Sequence, residues 1–191
     1  MKKTNSTVRN HATPILLSLF SAGLAGCSTI ETDSATTVSG TAVKGLLKNA
    51  EAFIDTGGDG VWTSGEDSAK VRTADDGSFS IVTDLVGDIV VQTDESTIDA
   101  SSGTGLAGVT LSAVAGSSVV SVATTITNEL MDSAVASSTT LTQADAEAQV
   151  KAILGIGATV DVSSYNPYAA ANAGTDAAVQ FEKSAQQVMT V

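Results

Sequence analysis

Cysteine and histidine each occur once in the 191 residues, as Cys27 and His11, and proline occurs only twice. A lone cysteine forms no intrachain disulfide, so the fold has to rest on its core. Aromatic residues make up 4% of the chain, too few to furnish a convincing sugar-binding cleft. Lys and Arg number nine against 21 Asp and Glu, a net charge of −12. Such a surface disfavours nucleic acid and anionic lipid as partners, because both are bound through Lys and Arg. The apolar stretch Ile15–Gly26 is only 12 residues long, against the ~20 that a bilayer-spanning helix needs. No Gly-rich phosphate loop, GxSxG elbow or HExxH motif is present.

That short apolar stretch has a telling setting. Lys2, Lys3 and Arg9 precede it without an acidic residue, and it closes on Leu24-Ala25-Gly26-Cys27. A cationic start, an apolar centre and a small-residue cleavage stretch ending in cysteine resemble a bacterial lipoprotein signal. The resemblance implies that residues 1–26 are a cleaved signal peptide and that Cys27 is the lipidation site. Residues 27–37 then form a polar, lipidated tether. It also implies the bacterial cell envelope, with Ser28 after the cysteine favouring the outer membrane, and the membrane itself as a partner through the N-terminal lipid. One acyl chain holds a protein only marginally, at ~0.8 kcal/mol per buried methylene; bacterial lipoproteins carry two or three.

Processing removes three of the nine cations and His11, leaving six Lys and Arg against 21 acids, a net charge of −15. With no histidine and no free thiol, Ser-His-Asp and Cys-His nucleophilic sites are excluded, as are most zinc sites. An enzyme would have to work with carboxylates alone, as a glycoside hydrolase does with a pair ~5–9.5 Å apart. No acid here sits in an aromatic-rich context, and the expectation is a non-catalytic protein.

Residues 38–115 read as β structure, with short Val/Ile/Thr/Phe runs separated by Gly/Asp/Asn turns. The expected strands are Thr37–Val43, Ala50–Ile54, Ala69–Thr73, Ser78–Thr83, Asp88–Gln92 and Val109–Ala113. Phe53, Phe79, Ile81, Ile89 and Val91 are the expected core, Asp75-Asp76-Gly77 a hairpin turn, and Glu95–Leu106 a polar loop. Residues 118–191 switch to helical spacing: Val122, Ile126, Leu130 and Ala134 recur every fourth residue. Thr142 is placed to cap a second helix whose buried stripe is Ala146, Val150, Ile153 and Leu154, with Gly155 at its exit. Asn166-Pro167 opens a short turn, and Ala178, Phe181, Ala185 and Val188 give a last helix its apolar face.

One stretch carries recognisable chemistry, Asp55-Thr-Gly-Gly-Asp59-Gly60-Val61-Trp62-Thr63-Ser-Gly65-Glu66-Asp67. Counted as a 12-residue calcium loop, it sets Asp55, Asp59, Val61 (through its carbonyl), Thr63 and Glu66 at liganding positions, with glycine at the sharp turn. Gly57 stands where a third carboxylate or amide is usual, a gap for water or Asp67 to fill. Ca²⁺ is therefore the expected cofactor, in a structural role. A solvated acidic turn has the same composition.

Val38-Ser-Gly40-Thr-Ala-Val43, Asn49-Ala50-Glu51-Ala52-Phe53-Ile54-Asp55 and Asp75-Asp76-Gly77-Ser78-Phe79-Ser80 resemble the carboxypeptidase-regulatory-like and B-type repeat sandwiches. Gly108–Val120 and Tyr165-Asn-Pro-Tyr168 resemble a sandwich-plus-helices module of large bacterial surface and adhesin-like proteins, although Val122-Ala123-Thr124-Thr125 replaces its Pro-Leu-Thr-Thr run. The resemblance implies an α+β fold: an antiparallel prealbumin-like β-sandwich over 38–115, followed by a small C-terminal helical bundle over 118–191. It implies a non-catalytic, calcium-stabilised surface or adhesion module. The alternative is a carbohydrate- or protein-binding module of the envelope, with a glycan or an envelope protein as partner and Trp62 as a contact.

Overall fold

Regular backbone begins at Thr36 in a computed structural model that describes residues 35–188. Cys27 and the expected signal peptide lie outside the described residues. In chain order the strands are β1 (Thr36–Val43), β2 (Leu47–Lys48), β3 (Glu51–Asp55), β4 (Val71–Arg72), β5 (Ser78–Thr83) and β6 (Asp88–Gln92). They continue as β7 (Ile98–Asp99), β8 (Thr104–Gly105), β9 (Thr110–Ala113) and β10 (Val119–Ser121). Helices α1 (Val122–Ala136), α2 (Gln143–Leu154) and α3 (Asp176–Val188) complete a mixed α+β fold.

The strands form three sheets, in the orders β10-β1-β5, β4-β3-β6-β9 and β2-β7-β8. All pairings are antiparallel except β1 with β10. Alternation explains β5: Phe79, Ile81 and Thr83 are buried while Ser80 and Val82 between them face water. Ala42, Phe79 and Ile81 of the first sheet join Ala52, Ile54, Ile89, Val91 and Leu111 of the second in one apolar cluster. All five expected core residues are buried. Phe53 and Val90 are also buried, but they lie opposite each other on the other face of β3 and β6.

That other face receives α1. Ser121 and Thr124 cap the helix reciprocally, each hydroxyl accepting the other's backbone N–H. The Thr124 hydroxyl also donates to the Ser112 carbonyl at 2.8 Å, and the Thr125 hydroxyl accepts the Ser112 N–H at 2.9 Å. Its first turn is thus pinned to β9. Beyond it, Ala123, Val150, Ile156, Val160, Val162 and Phe181 form a second cluster among the helices. Thr142 caps α2 as expected, and Gly155 ends it in the left-handed region at φ 66°.

Three expectations change. Val119–Ser121, read as part of the helical segment, is a strand beside β1, because three residues are too few to show a period. Asp75–Gly77 turns as expected, with Gly77 at φ 74°. The Gly77 N–H donates to the Ala74 carbonyl at 3.0 Å and the Ala74 N–H to the Ser78 carbonyl at 2.8 Å, although the strands on either side belong to different sheets. The two-residue β4 pairs with β3, whereas β5 finds six register partners on β1. Glu95–Leu106 contains the β7–β8 hairpin. Ile153 is 69% exposed: the inward face of α2 is centred between Val150 and Leu154 and takes in Gln143, Glu147 and Lys151 half-buried, leaving Ile153 on its outer flank.

Phe181→Ala should therefore cost about 3–5 kcal/mol by chemical denaturation, as for a fully buried aromatic. Ile153→Ala should stay within about 0.5 kcal/mol of the parent, as for an exposed position.

Candidate functional site

The segment after β3 folds back on itself through its carboxylates. Asp55 is 2% exposed, and its two oxygens accept the Gly58 and Gly60 N–H groups at 2.8 and 2.7 Å. Asp67 does the same from the far side, accepting the Thr56 N–H at 2.9 Å and the Thr63 N–H at 2.7 Å. Asp59 accepts the Val61 N–H at 2.8 Å. The base is closed by Ser68, whose N–H donates to the Ile54 carbonyl and whose hydroxyl accepts the Ile54 N–H. Trp62 is half-buried, its indole N–H donating to the Ser68 carbonyl at 2.9 Å, with the Lys70 ammonium 5.0 Å from its ring.

These bonds locate the expected ligand set. Asp55 Oδ1 and Glu66 Oε1 border the open space above Gly57, where an added Cβ would lie 3.6 and 2.9 Å from them. The first and last positions of the loop thus face one gap, left open by the missing side chain. Asp55, Asp59 and Asp67 all spend oxygens on backbone amides, whereas no such bond engages Glu66 Oε1. Among the described residues no three Asp, Glu, His or Cys side chains stand close enough together to hold a metal ion. The donor chemistry, carboxylates with a threonine hydroxyl and a carbonyl, suits a hard cation. The structure brings together two of the four expected carboxylates.

A larger feature adjoins the loop. A cleft of about 550 Å³ is bounded by the loop, by β6 and β9, and by α1. Strand register explains its floor: Asp55 stands opposite Asp88, and Val90 opposite Ser112, on the sheet face away from the main cluster. Its wall is one face of α1, where Thr125, Asn128, Glu129 and Asp132 share an aspect. Five carboxylates line it, Asp55, Asp59, Asp88, Glu129 and Asp132, and no Lys or Arg does. Asn128 donates to Asp88 at 2.8 Å, which ties helix to sheet across the cleft. Gln92 donates to the Gly60 carbonyl at 2.8 Å and ties the loop to β6.

Four of the six Lys and Arg among the described residues pair with other acids. Lys70 and Arg72 pair with Glu51, Arg72 also with Asp94, Lys44 with Asp99 and Lys48 with Asp75. Burial, and then the neighbouring charges of Asp88, Glu129 and Asp55, push the Asp132 carboxyl above its ordinary range. Sequence reasoning missed Asp88, Glu129 and Asp132, because each is an unremarkable acid among its chain neighbours. The usable signal was parity: alternation through β6 sets Asp88 off the core face, and Glu129 and Asp132 lie three apart on α1, Glu129 on the flank of its apolar stripe and Asp132 well away from it.

A folded-state pKa above the unfolded value means that the folded protein holds this proton more tightly. The contribution of Asp132 is therefore fully present at low pH and lost as pH rises through the folded value. Asp132→Asn should raise the melting temperature at pH 7 by about 1–2 °C, the scale of a surface substitution in a domain of this size. The gain should vanish as the pH is brought below the ordinary carboxylate range. Asp55→Asn should cost about 1–3 kcal/mol, because an amide on this buried side chain offers one acceptor oxygen where two N–H donors point.

Comparison of the chain with protein-family models, with curated proteins and with solved structures gives no match.

Proposed function

We propose that the protein is a lipid-anchored, non-catalytic module of the bacterial cell envelope, tethered to the outer membrane through Cys27, whose working surface is the acidic cleft. One observation carries this reading: five carboxylates line the cleft, and the ion pairs of the described residues all engage other acids. A cation supplies what the lining lacks. Asp55 and Glu66 would hold Ca²⁺ over Gly57, with Asp59, the Val61 carbonyl, the Thr63 hydroxyl and Asp67 as the further oxygen donors. Bound calcium neutralises charge there, so its role is to steady the loop against the sheet.

Two sheets around one core, followed by helices around a second, suit a prealbumin-like sandwich with a small helical bundle. This supports the likeness to surface and adhesin-type modules. The absence of histidine and of any thiol beyond residue 27 supports a non-catalytic role. Binding of an envelope protein is a second reading of the same site. The cleft volume of about 550 Å³ falls within the ~300–1,000 Å³ of ligand sites. Its lining holds no aromatic side chain for a sugar to stack on, so a basic segment of a protein suits it better than a glycan.

Tb³⁺ should show emission sensitised by Trp62 that Ca²⁺ competes away. At ten times a millimolar-range Kd, calcium should add about 1.4 kcal/mol of stability, a rise of about 3–5 °C in melting temperature. No terbium signal together with an unchanged melting temperature would contradict the calcium reading. Cys27→Ala should abolish lipid labelling in cells and leave the precursor uncleaved. Labelling that persists in that variant would refute the anchor.

A further inference from the structure

The main core is open at one end. There Thr36, Val38, Ile54, Leu85, Val86 and Ile89 line an opening of about 190 Å³ between the two larger sheets, with no charged side chain in its lining. Val38 and Leu85 pack on the main cluster yet remain partly exposed, and Val86 is 83% exposed in the turn between β5 and β6. Val82, 70% exposed, stands on the outer face of β5 one turn away. Isolated exposed valines are ordinary on protein surfaces. Val38, Leu85 and Val86 are continuous with the interior of the core, and they line the opening together with Thr36, where the regular backbone starts.

That position suggests what covers the opening. Thr36 lies on its rim, nine residues after Cys27, and nine extended residues span at most ~30 Å. A lipid on Cys27 would thus hold the opening within a short tether of a bilayer. Over such a tether the effective concentration reaches the millimolar range, enough for a contact of a few side chains that would be negligible for the free protein. Asp84 adjoins Leu85 in the same turn and is exposed, which limits the depth to the headgroup boundary. Asp55 and Asp88 follow Ile54 and precede Ile89 on the opposite face of the sheet. The acidic cleft therefore lies at the same end of the strands and repels anionic headgroups.

We propose that this apolar opening is a membrane-docking surface: with Cys27 acylated, the Leu85–Val86 turn and Val38 rest against a zwitterionic lipid interface. The proposal rests on the anchor reading. The test uses the full chain purified after processing and reconstituted in phosphatidylcholine vesicles, with Cys27 acylation read by mass spectrometry. Val86→Cys introduces the one free thiol, which takes a polarity-sensitive dye. Val135→Cys, at a position 75% exposed near the end of α1, is the control. Both substitutions fall on exposed side chains and leave the cores intact.

The dye at 86 should shift to the blue and be quenched about twofold or more by nitroxide lipids, as expected for a side chain at the headgroup boundary. The dye at 135 should do neither. Equimolar anionic lipid should weaken the effect at 86. Acylated protein with equal responses at the two positions would overturn the docking surface and leave the anchor standing. Dye self-quenching between copies at 86, without lipid quenching, would overturn it in favour of an interface between two chains. An unacylated Cys27 would overturn the anchor and the docking surface together.

Discussion

Two like charges at one register position are the constraint around which this end of the molecule is arranged. Asp55 closes β3 and Asp88 opens β6, directly opposite each other, where like charges repel across a strand pair. Each is met by donors from a different direction. The loop turns back so that Gly58 and Gly60 present their N–H groups to Asp55, and α1 leans over so that Asn128 reaches Asp88. The loop and the helix are thus both recruited by the same pair. The cleft is the space left between them.

The cleft also reflects how the sheet divides its labour. β3 and β6 are buried on both faces, with Ile54 and Ile89 in the main core and Phe53 and Val90 on the cleft side. A sheet held this firmly from below can carry repulsion at its end, since burying large apolar side chains contributes about 1.5–3 kcal/mol each. Separation of charge completes the arrangement. Glu51, on the same face of β3 as Asp55, has both Lys70 and Arg72 beside it, while Asp55 has only amides. One strand therefore runs from a neutralised carboxylate to an unneutralised one over four residues.

Much of this was legible in the chain. β5 and β6 fall where the alternation of Ser78–Thr83 and the apolar run of Asp88–Gln92 place them, and Thr142 caps α2 by local chemistry. What was not legible depends on partners distant in sequence. Nothing near Val119 announces that it will lie parallel to Thr41. The inward face of α2 depends on where Phe181 arrives, which decides against Ile153. The acidic loop was visible as composition, but the wall that makes it one side of a cleft comes from Glu129 and Asp132, more than sixty residues on. Trp62, read as a possible ligand contact, is committed to the Ser68 carbonyl and Lys70.

The central claim is that the cleft is a cation-seeking site whose own carboxylates are left uncompensated. It is tested most directly by following the Asp132 carboxyl carbon by NMR through a pH titration, with and without millimolar calcium. The account predicts a midpoint above the ordinary carboxylate range in calcium-free buffer, falling towards that range when calcium neutralises its neighbours. A midpoint that is ordinary from the start, or raised but indifferent to calcium, would contradict it.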